Sequence, residues 1–391
     1  MKKWLLSKSL LVATCLLLLF YAVSDVAAQS QPQKNPELIR VATYDIASLS
    51  YVTYGFIQKF IENNYKTTRL RVIPIGSDMP RMQVARSKQV DFATQGTDIF
   101  FAAEGLDKYS TRDWGPQSVR VAWAPDCVGT VVATRGNSGI KTVADLKGKR
   151  FPWIPGSIFN VYHEEILAFA NLTWEDVKKV QVPGYGGMLK ALIDGAIDVA
   201  MPQSTSPQMY ELASSIGGVR YIPLPAEDKE GWKRIQKINP AHYPKKVTYG
   251  AGISKGESVD GIGHPYPVPC GYDFLGDNIT YFMTKVMHEA YPVISKEHEV
   301  TKLTHSLEST LNTFLNAKGM VFYPASVRYF KEIRVWKPEW DKLIEKRIQR
   351  QNALKKLWNE TVAEADSKGI KDSDFSNFWL KKRETLKEEL L

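Results

Sequence analysis

The sequence predicts an α/β protein of two similar lobes joined by a two-strand hinge, with a helical extension at the C-terminal end. Three observations carry this. Apolar, β-branched runs alternate with amphipathic stretches of helical period, which implies mostly parallel sheets. The order of these segments recurs in the second half of the chain. Apolar runs that belong to neither half link the two.

The first lobe opens with LIRVATYDI as a buried strand, followed by a loop and a helix through residues 48–65 with Tyr54, Ile57, Phe60 and Ile61 on its apolar face. LRVIPI is a second strand, residues 79–86 a helix, and VDFATQG a third strand. The second lobe follows the same order. KRFPWIP is a strand, GSIFNVYHEEILAFA a loop and helix, VKKVQVPG a strand, YGGMLKALIDG a loop and helix, and AIDVAMPQ a strand. Asp91-Phe92-Ala93 thus corresponds to Asp198-Val199-Ala200.

VRVAWAPDCVGTVVATRG reads as the first crossing between lobes. The Gly/Pro-rich stretch at 249–275 reads as the return, ending in a strand at 268–275. Helices are expected at 277–291 and 300–316. The expected domains are residues 38–130 with 250–336 as lobe 1, 131–249 as lobe 2, and 337–391 as the extension, whose Trp340, Leu343, Ile344 and Ile348 form an apolar stripe that packs on the body.

Residues 1–28 read as a signal peptide. Lys2, Lys3 and Lys8 precede an apolar run, and the small residues Ala27 and Ala28 suit cleavage. Residues 29–37 are a polar leader. The apolar run is short for a membrane span. The expected location is therefore the periplasm. Loss of Lys2, Lys3, Lys8 and Asp25 takes the formal charge from +9 to +7. The lysines are scattered with no basic-aromatic run, so no nucleic-acid partner is expected. Cys127 and Cys270 remain, and one disulfide or two buried thiols are the open alternatives.

In open α/β sheets ligands bind beyond the carboxyl ends of the strands. The loops there are small and hydroxylic: Ser50 and Tyr51 after the first strand, Gly76-Ser77 after the second, Thr97-Asp98 after the third. Their counterparts are Gly156-Ser157 with Asn160, Tyr185, and Ser204-Thr205. Trp153 is a further candidate for the pocket wall. Backbone N–H groups at helix starts favour an anion, and a carboxylate held from both lobes suits the set. Each hydroxyl has a plainer role as a helix cap. Asp45, Asp78 and Asp98 form a carboxylate set for which a cationic ligand is the minor alternative. His163 is expected to face solvent. No zinc-spaced cysteine pair, HExxH, nucleophile elbow or P-loop occurs, so no enzyme activity, metal or cofactor is expected.

The run SGIKTVADLKGKR, then a strand and Pro155-Gly156-Ser157, resembles the start of the second lobe in the TAXI family, the extracytoplasmic solute-binding receptors of TRAP transporters. Residues 49–55, LSYVTYG, are similar to that family's tyrosine-rich first loop, with Leu49 in place of a glycine and Val52 in place of a tyrosine. Gly76-Ser77, Asp91-Phe92-Ala93 and the late segment PASVRYFKE match as well. The resemblance spans about residues 39–336. It implies a type II periplasmic-binding-protein fold, a small carboxylate ligand, delivery to the membrane permease subunits of a TRAP transporter, and no chemistry on the ligand. A monomer is expected. Leu49, Phe159 and Tyr185 point to a bulkier or aromatic acid. The alternative is a type II binding protein that serves an ATP-driven importer or a sensor.

Overall fold

The computed structural model describes residues 34–386 apart from 45, 47, 76, 77 and 156. The predicted signal peptide lies outside the described residues, as do Gly76, Ser77 and Gly156 of the expected ligand loops.

Chain order in the first lobe is β1 (Leu38–Thr43), α1 (Leu49–Asn64), β2 (Arg69–Pro74), α2 (Asp78–Arg86), β3 (Phe92–Gln95), α3 (Asp98–Glu104) and β4 (Val119–Val121). α1 starts where Ser48 Oγ accepts a hydrogen bond from Tyr51 N at 3.1 Å. Its buried stripe is Ser50, Thr53, Tyr54, Ile57 and Ile61, the spacing of one helix face. β1 pairs in parallel with both β2 and β3. The first crossing leads to β5 (Val132–Arg135), β6 (Arg150–Trp153), α4 (Phe159–Phe169), β7 (Lys178–Gln181), α5 (Tyr185–Ile193), α6 (Pro207–Ser214), β8 (Val219–Ile222) and α7 (Lys229–Ile238). The return runs through β9 (Tyr243–Val247), β10 (Val259–Gly263) and β11 (Val268–Tyr272). α8 (Asp277–Glu297), α9 (Glu299–Thr304), α10 (Leu307–Asn316) and α11 (Pro324–Glu332) follow, then α12 (Glu339–Ser367) and α13 (Asp372–Arg383).

The first-lobe sheet has the order β2-β1-β3-β11-β4, with β11 antiparallel to both neighbours. The second lobe is built alike. β7 and β6 are parallel, Asp198 N donates to Arg150 O at 2.9 Å, Ala200 bridges Ala133, and β5 pairs antiparallel with β8. In each sheet the antiparallel strand is the one delivered by a crossing. The crossings themselves run side by side. Cys127 N donates to His264 O at 2.9 Å, and Thr130 and Ile262 exchange bonds of 3.0 and 2.8 Å. Gly129, at φ 150, passes so close to β9 that a Cβ would lie 2.2 Å from Val247 Cγ2. This is the expected two-strand hinge between two α/β lobes.

One device recurs in both lobes. Arg40 N and Nε donate to Asp91 Oδ2 at 2.7 and 3.2 Å, and Nη2 to Oδ1 at 2.9 Å. Arg150 N and Nε donate to Asp198 Oδ2 at 2.9 and 3.0 Å, and Nη2 to Oδ1 at 2.5 Å. In each case the aspartate that opens the third strand satisfies both the backbone and the guanidinium of the first strand.

Several expectations are corrected. AIDVAMPQ forms isolated bridges rather than a continuous strand, from Ala200 to Ala133 and from Gln203 to Thr130. The helix at 277–291 continues to Glu297, and 300–316 divides into α9 and α10 at His305 and Ser306. Ala241 and Tyr243, expected in the second lobe, join the core cluster of the first. His163 is fully buried, edge-on to Phe151 at 6.1 Å, and burial lowers its pKa to about 4. The buried stripe of α4 is wide enough to take it, since Tyr162, Ile166 and Leu167 flank it. Cys127 and Cys270 are both buried free thiols, so the disulfide alternative is not realised. Each sulfur faces a different carbonyl, Ile262 O at 3.7 Å for Cys127 and Ala93 O at 3.3 Å for Cys270.

Removing the carboxylate of one lock tests the device. Asp91→Ala is expected to lower the unfolding free energy by about 1–2 kcal/mol, the scale of a hydrogen bond to a charged acceptor at a partly exposed site. Asp198→Asn acts in the same direction in the other lobe. Burial alone would raise the Asp198 pKa, but the Arg150 side-chain and backbone bonds outweigh it and hold it below the ordinary value. Its stabilisation is therefore present above the ordinary carboxylate range and is lost as pH falls through the lowered pKa. Urea titrations of both variants at neutral and acid pH check this. Unchanged midpoints at neutral pH would contradict it.

Candidate functional site

The carboxyl ends of β1, β3 and β6 and both crossings face one cavity of about 1090 Å³ between the lobes. From the first lobe come Tyr44, Leu49, Val52, Asp78, Asp98 and Lys108. From the second come Ser157, Phe159, Tyr162, Tyr185, Gln203 and Thr205. The hinge contributes Thr130, His264 and Tyr266, and α9 contributes Glu299 at the rim.

Among the expected residues, Asp98, Ser157, Tyr185 and Thr205 line the cavity. The other expected residues that the structure describes are absent from that lining. Ser50 is buried against Thr94, hydroxyl to hydroxyl at 2.7 Å. Tyr51 is half-buried on α1 and is not part of the cavity lining. Asn160 accepts from Ile154 N at 2.9 Å and donates to Ile154 O at 2.6 Å, so it pins the loop that carries Ser157. Ser204 Oγ donates to Tyr249 O at 2.8 Å and ties the strand end to the return crossing. Trp153 stands edge-on to Trp174 at 5.3 Å, with Lys179 over its ring, outside the cavity lining. Thr97 bonds Tyr162 across the lobes, hydroxyl to hydroxyl at 2.7 Å.

Most of these hydroxyls are therefore committed to the protein itself. The wall is largely aromatic. Phe159 and Tyr185 stack at 4.9 Å and 28°. Tyr185 OH contacts Ser206 Oγ at 2.6 Å and accepts from Gln203 N at 3.0 Å, which fixes the ring. Tyr44 meets Tyr266 edge-on at 5.3 Å.

The charges are arranged by burial. Arg81 is fully buried with its guanidinium 3.4 Å from the Tyr44 ring centroid. It donates to Thr94 O at 3.0 Å, Ile75 O at 2.7 Å and Gln95 Oε1 at 3.2 Å, and pairs with Asp78. The Asp98 carboxyl is pushed up to about 8, first by burial and then by Asp78, against the pull of Arg81 and Lys108. This shift favours the protonated form at neutral pH. Glu299 pairs with Lys302 at 3.1 Å. Among the described residues Lys108 is the lysine or arginine lining the cavity, and no carboxylate pairs with it.

His264 is a neutral hydrogen-bonding post. Its Nδ1 faces Pro265 O at 3.3 Å, and its Nε2 faces Thr130 Oγ1 and Gln203 Nε2, each at 3.1 Å. Burial lowers its pKa to about 4. Behind it lie Glu165 and His242, both fully buried, with Oε2 and Nδ1 2.5 Å apart. Burial pushes Glu165 up and His242 down. Among the described residues no group of His, Cys, Asp and Glu is placed to hold a metal ion.

Sequence reasoning gave no role to Lys108, Arg81, His264 or Tyr266. Lys108 sits in a short turn, LDKYS, with no pattern of its own. His264 and Tyr266 stand in GHPYP, and aromatic residues among turn formers were the available signal.

A model of the NMT1-like family matches residues 50–333, which include the hinge, the second lobe and most of the first. The chain belongs to the NMT1-like family. Comparison with curated protein sequences gives no match. Among solved structures, this NMT1-like chain is similar to the periplasmic aliphatic sulphonate binding protein SsuA of Escherichia coli, at 15% identity and TM-score 0.45 over 82% of this chain and 93% of that one. It is also similar to R. palustris Rpa4515 with adipate, at 13% identity and TM-score 0.41 over 80% and 98%. A third is PhnD1 of Prochlorococcus marinus in complex with methylphosphonate, at 11% identity and TM-score 0.40 over 77% and 100%.

Two predictions follow from the geometry of the cavity. Asp98 binds a proton more tightly folded than unfolded, so its penalty on stability grows as pH rises from about 4 to about 8 and is constant above. Asp98→Asn is expected to gain stability relative to the parent chain across that window. Melting temperatures of both from pH 5 to 9 check it, and a difference that does not widen would refute the buried neutral acid. Tyr162→Phe removes the bond to Thr97 and is expected to cost about 1 kcal/mol. The lobes should separate more readily, read as a larger radius of gyration in X-ray scattering. An unchanged radius would show that the bond does not hold the lobes together.

Proposed function

We propose that this chain is an extracytoplasmic solute-binding protein that captures an organic acid between its lobes and hands it to a membrane permease. The observation that carries the reading is the balance of charge in the cavity. Arg81 neutralises Asp78, Lys302 pairs with Glu299, and burial keeps Asp98 protonated. Lys108 is left for the ligand, and a carboxylate is its natural complement. His264 spends its ring nitrogens on Pro265, Thr130 and Gln203, so it supports the cavity wall and has no nitrogen left to act as a base on a ligand.

The Phe159–Tyr185 stack, Tyr266 and Leu49, in a cavity of about 1090 Å³, favour a bulky or ring-bearing acid over a small dicarboxylate. The predicted signal peptide supports a periplasmic location. The TAXI-like segments SGIKTVADLKGKR and Pro155-Gly156-Ser157 support a TRAP permease as the recipient. An ATP-driven importer is the second reading, because SGIKTVADLKGKR is a pattern that type II binding proteins of both kinds share.

The test is calorimetric titration of residues 29–391 with benzoate, phenylacetate, succinate, glutamate and, as a cation, benzylamine. The ring acids are expected to bind. Lys108→Met should weaken them about tenfold or more, the scale of one hydrogen bond to a charged group. Binding of succinate or glutamate alone would refute the bulky-acid reading. Binding of benzylamine in preference to the acids would refute the acid reading itself.

A further inference from the structure

We propose that the C-terminal helices are a positioning device for the cavity: Arg350 and Arg383, acting through Glu104, hold α3 and the turn after it so that Asp98 and Lys108 face the ligand. The role in ligand binding rests on the function proposed above. α3 has seven residues, all buried, with Asp98 at its first position and Glu104 at its last. The inner end meets the cavity. The outer end is held by the extension and, from the first lobe, by Gln117 N donating to Ala102 O at 2.8 Å.

Glu104 is 3% exposed. Arg350 Nε and Nη2 donate to its two oxygens, each at 2.7 Å. Arg383 pairs with the same carboxylate, and its Nε donates to Glu104 O at 3.2 Å. Trp379 Nε1 donates to Gly105 O at 2.6 Å. Gly105 ends the helix at φ 64, and a Cβ there would lie 2.9 Å from Pro116 Cδ, so the turn admits no larger residue. Lys108 follows three residues later. Its segment is tied down from the same side, by Ser376 Oγ to Ser110 O at 3.4 Å, by Arg112 Nη2 to Ile370 O at 2.9 Å, and by Arg112 pairing with Asp366 and Asp372.

The form of these contacts separates positioning from plain support. Leu354, Trp358, Phe375 and Trp379 already bury the apolar face of the extension. A fork-shaped guanidinium on a buried carboxylate adds direction, because two parallel bonds hold the helix end at one angle. A helix of under two turns is stiff, so a rotation at Glu104 is carried to Asp98.

The experiment reads Asp98 directly and needs no ligand. The side-chain carboxyl of Asp98 is followed by ¹³C NMR in the chain from residue 29, with Asp98→Asn assigning the signal, and is titrated from pH 5 to 10. The groups that set its midpoint are Asp78 and Arg81 from α2, Asp107 and Lys108 from the turn, and the hydroxyls of Tyr44, Tyr109 and Tyr162. Glu104→Gln and Arg383→Met are each expected to move the midpoint by about half a pH unit or more, since the charges around Asp98 change distance. Arg350→Lys keeps the cation and should move it less. Lys356→Ala, on the exposed face of α12, should leave it unmoved. Should Glu104→Gln fail to fold, Arg383→Met carries the test, because Arg383 lies at the rim, 18% exposed. An unmoved midpoint in a folded Glu104→Gln or Arg383→Met, with a lower melting temperature, would overturn the proposal and leave the extension a stabiliser. A cavity that binds no acid refutes the proposed function and leaves this readout intact.

Discussion

The pairing of the first and third strands in each lobe is the constraint on which the cleft depends. It places the two strand ends that carry the ligand-facing loops side by side, and each lobe secures it with the same arginine and aspartate. The aspartate does two things at once. It caps the backbone N–H of the first strand and neutralises the guanidinium beside it. Both members remain partly exposed, so neither carries the full desolvation cost of a buried charge. The geometry is thus specified by hydrogen bonds at the end of the sheet away from the ligand, and the cavity end is free to vary in chemistry.

That freedom is visible in what the loops do. Ser48, Ser50, Asn160 and Ser204 turn inward and satisfy backbone or hydroxyl partners. Buried polar groups need such partners, so loops that seal a cavity consume their own donors. The cavity surface then combines rings with the Gln203 amide, the hydroxyl residues Ser157 and Thr205, the carboxyl groups of Asp78 and Asp98, and Lys108. On the function proposed, selectivity would come from shape and from the Lys108 charge rather than from a dense array of donors.

The architecture was legible because it is written in periodicity. Alternating strand and helix patterns, their recurrence, and the apolar crossings each depend on residues near one another in the chain. The Asp91 and Asp198 correspondence was readable too, although the arginines they answer, 51 and 48 positions earlier, were not. The site was legible only as a set of loops. Asp98, Ser157, Tyr185 and Thr205 do line the cavity, since strand order alone decides that. Ser50 and Trp153 do not, because the face of a helix or strand that a residue occupies depends on packing that no local pattern encodes. Lys108 and His264 were silent for the same reason. His163 shows the converse error: a polar residue on an apolar helix face is carried inside when its neighbours are bulky enough to enclose it.

One place where the lobes meet is α4. Its start presents Ile158 and Val161 to the first-lobe core, and Tyr162 reaches Thr97. Its middle is fastened by Glu165 to Asn239 and His242, in a segment whose Ala241 and Tyr243 pack on the first lobe. An opening of the cleft would part the Ile158 and Val161 contact and the Thr97–Tyr162 hydrogen bond, while the buried Glu165–His242 contact lies beside His264 of the hinge. A neutral hydrogen bond is worth about 1 kcal/mol, so open and closed forms differ by little on this account. A ligand that touches Lys108 on one side and the Phe159–Tyr185 stack on the other binds only the closed form fully. Its differential affinity then sets the equilibrium, which is the condition under which a two-lobed protein reports occupancy through its shape.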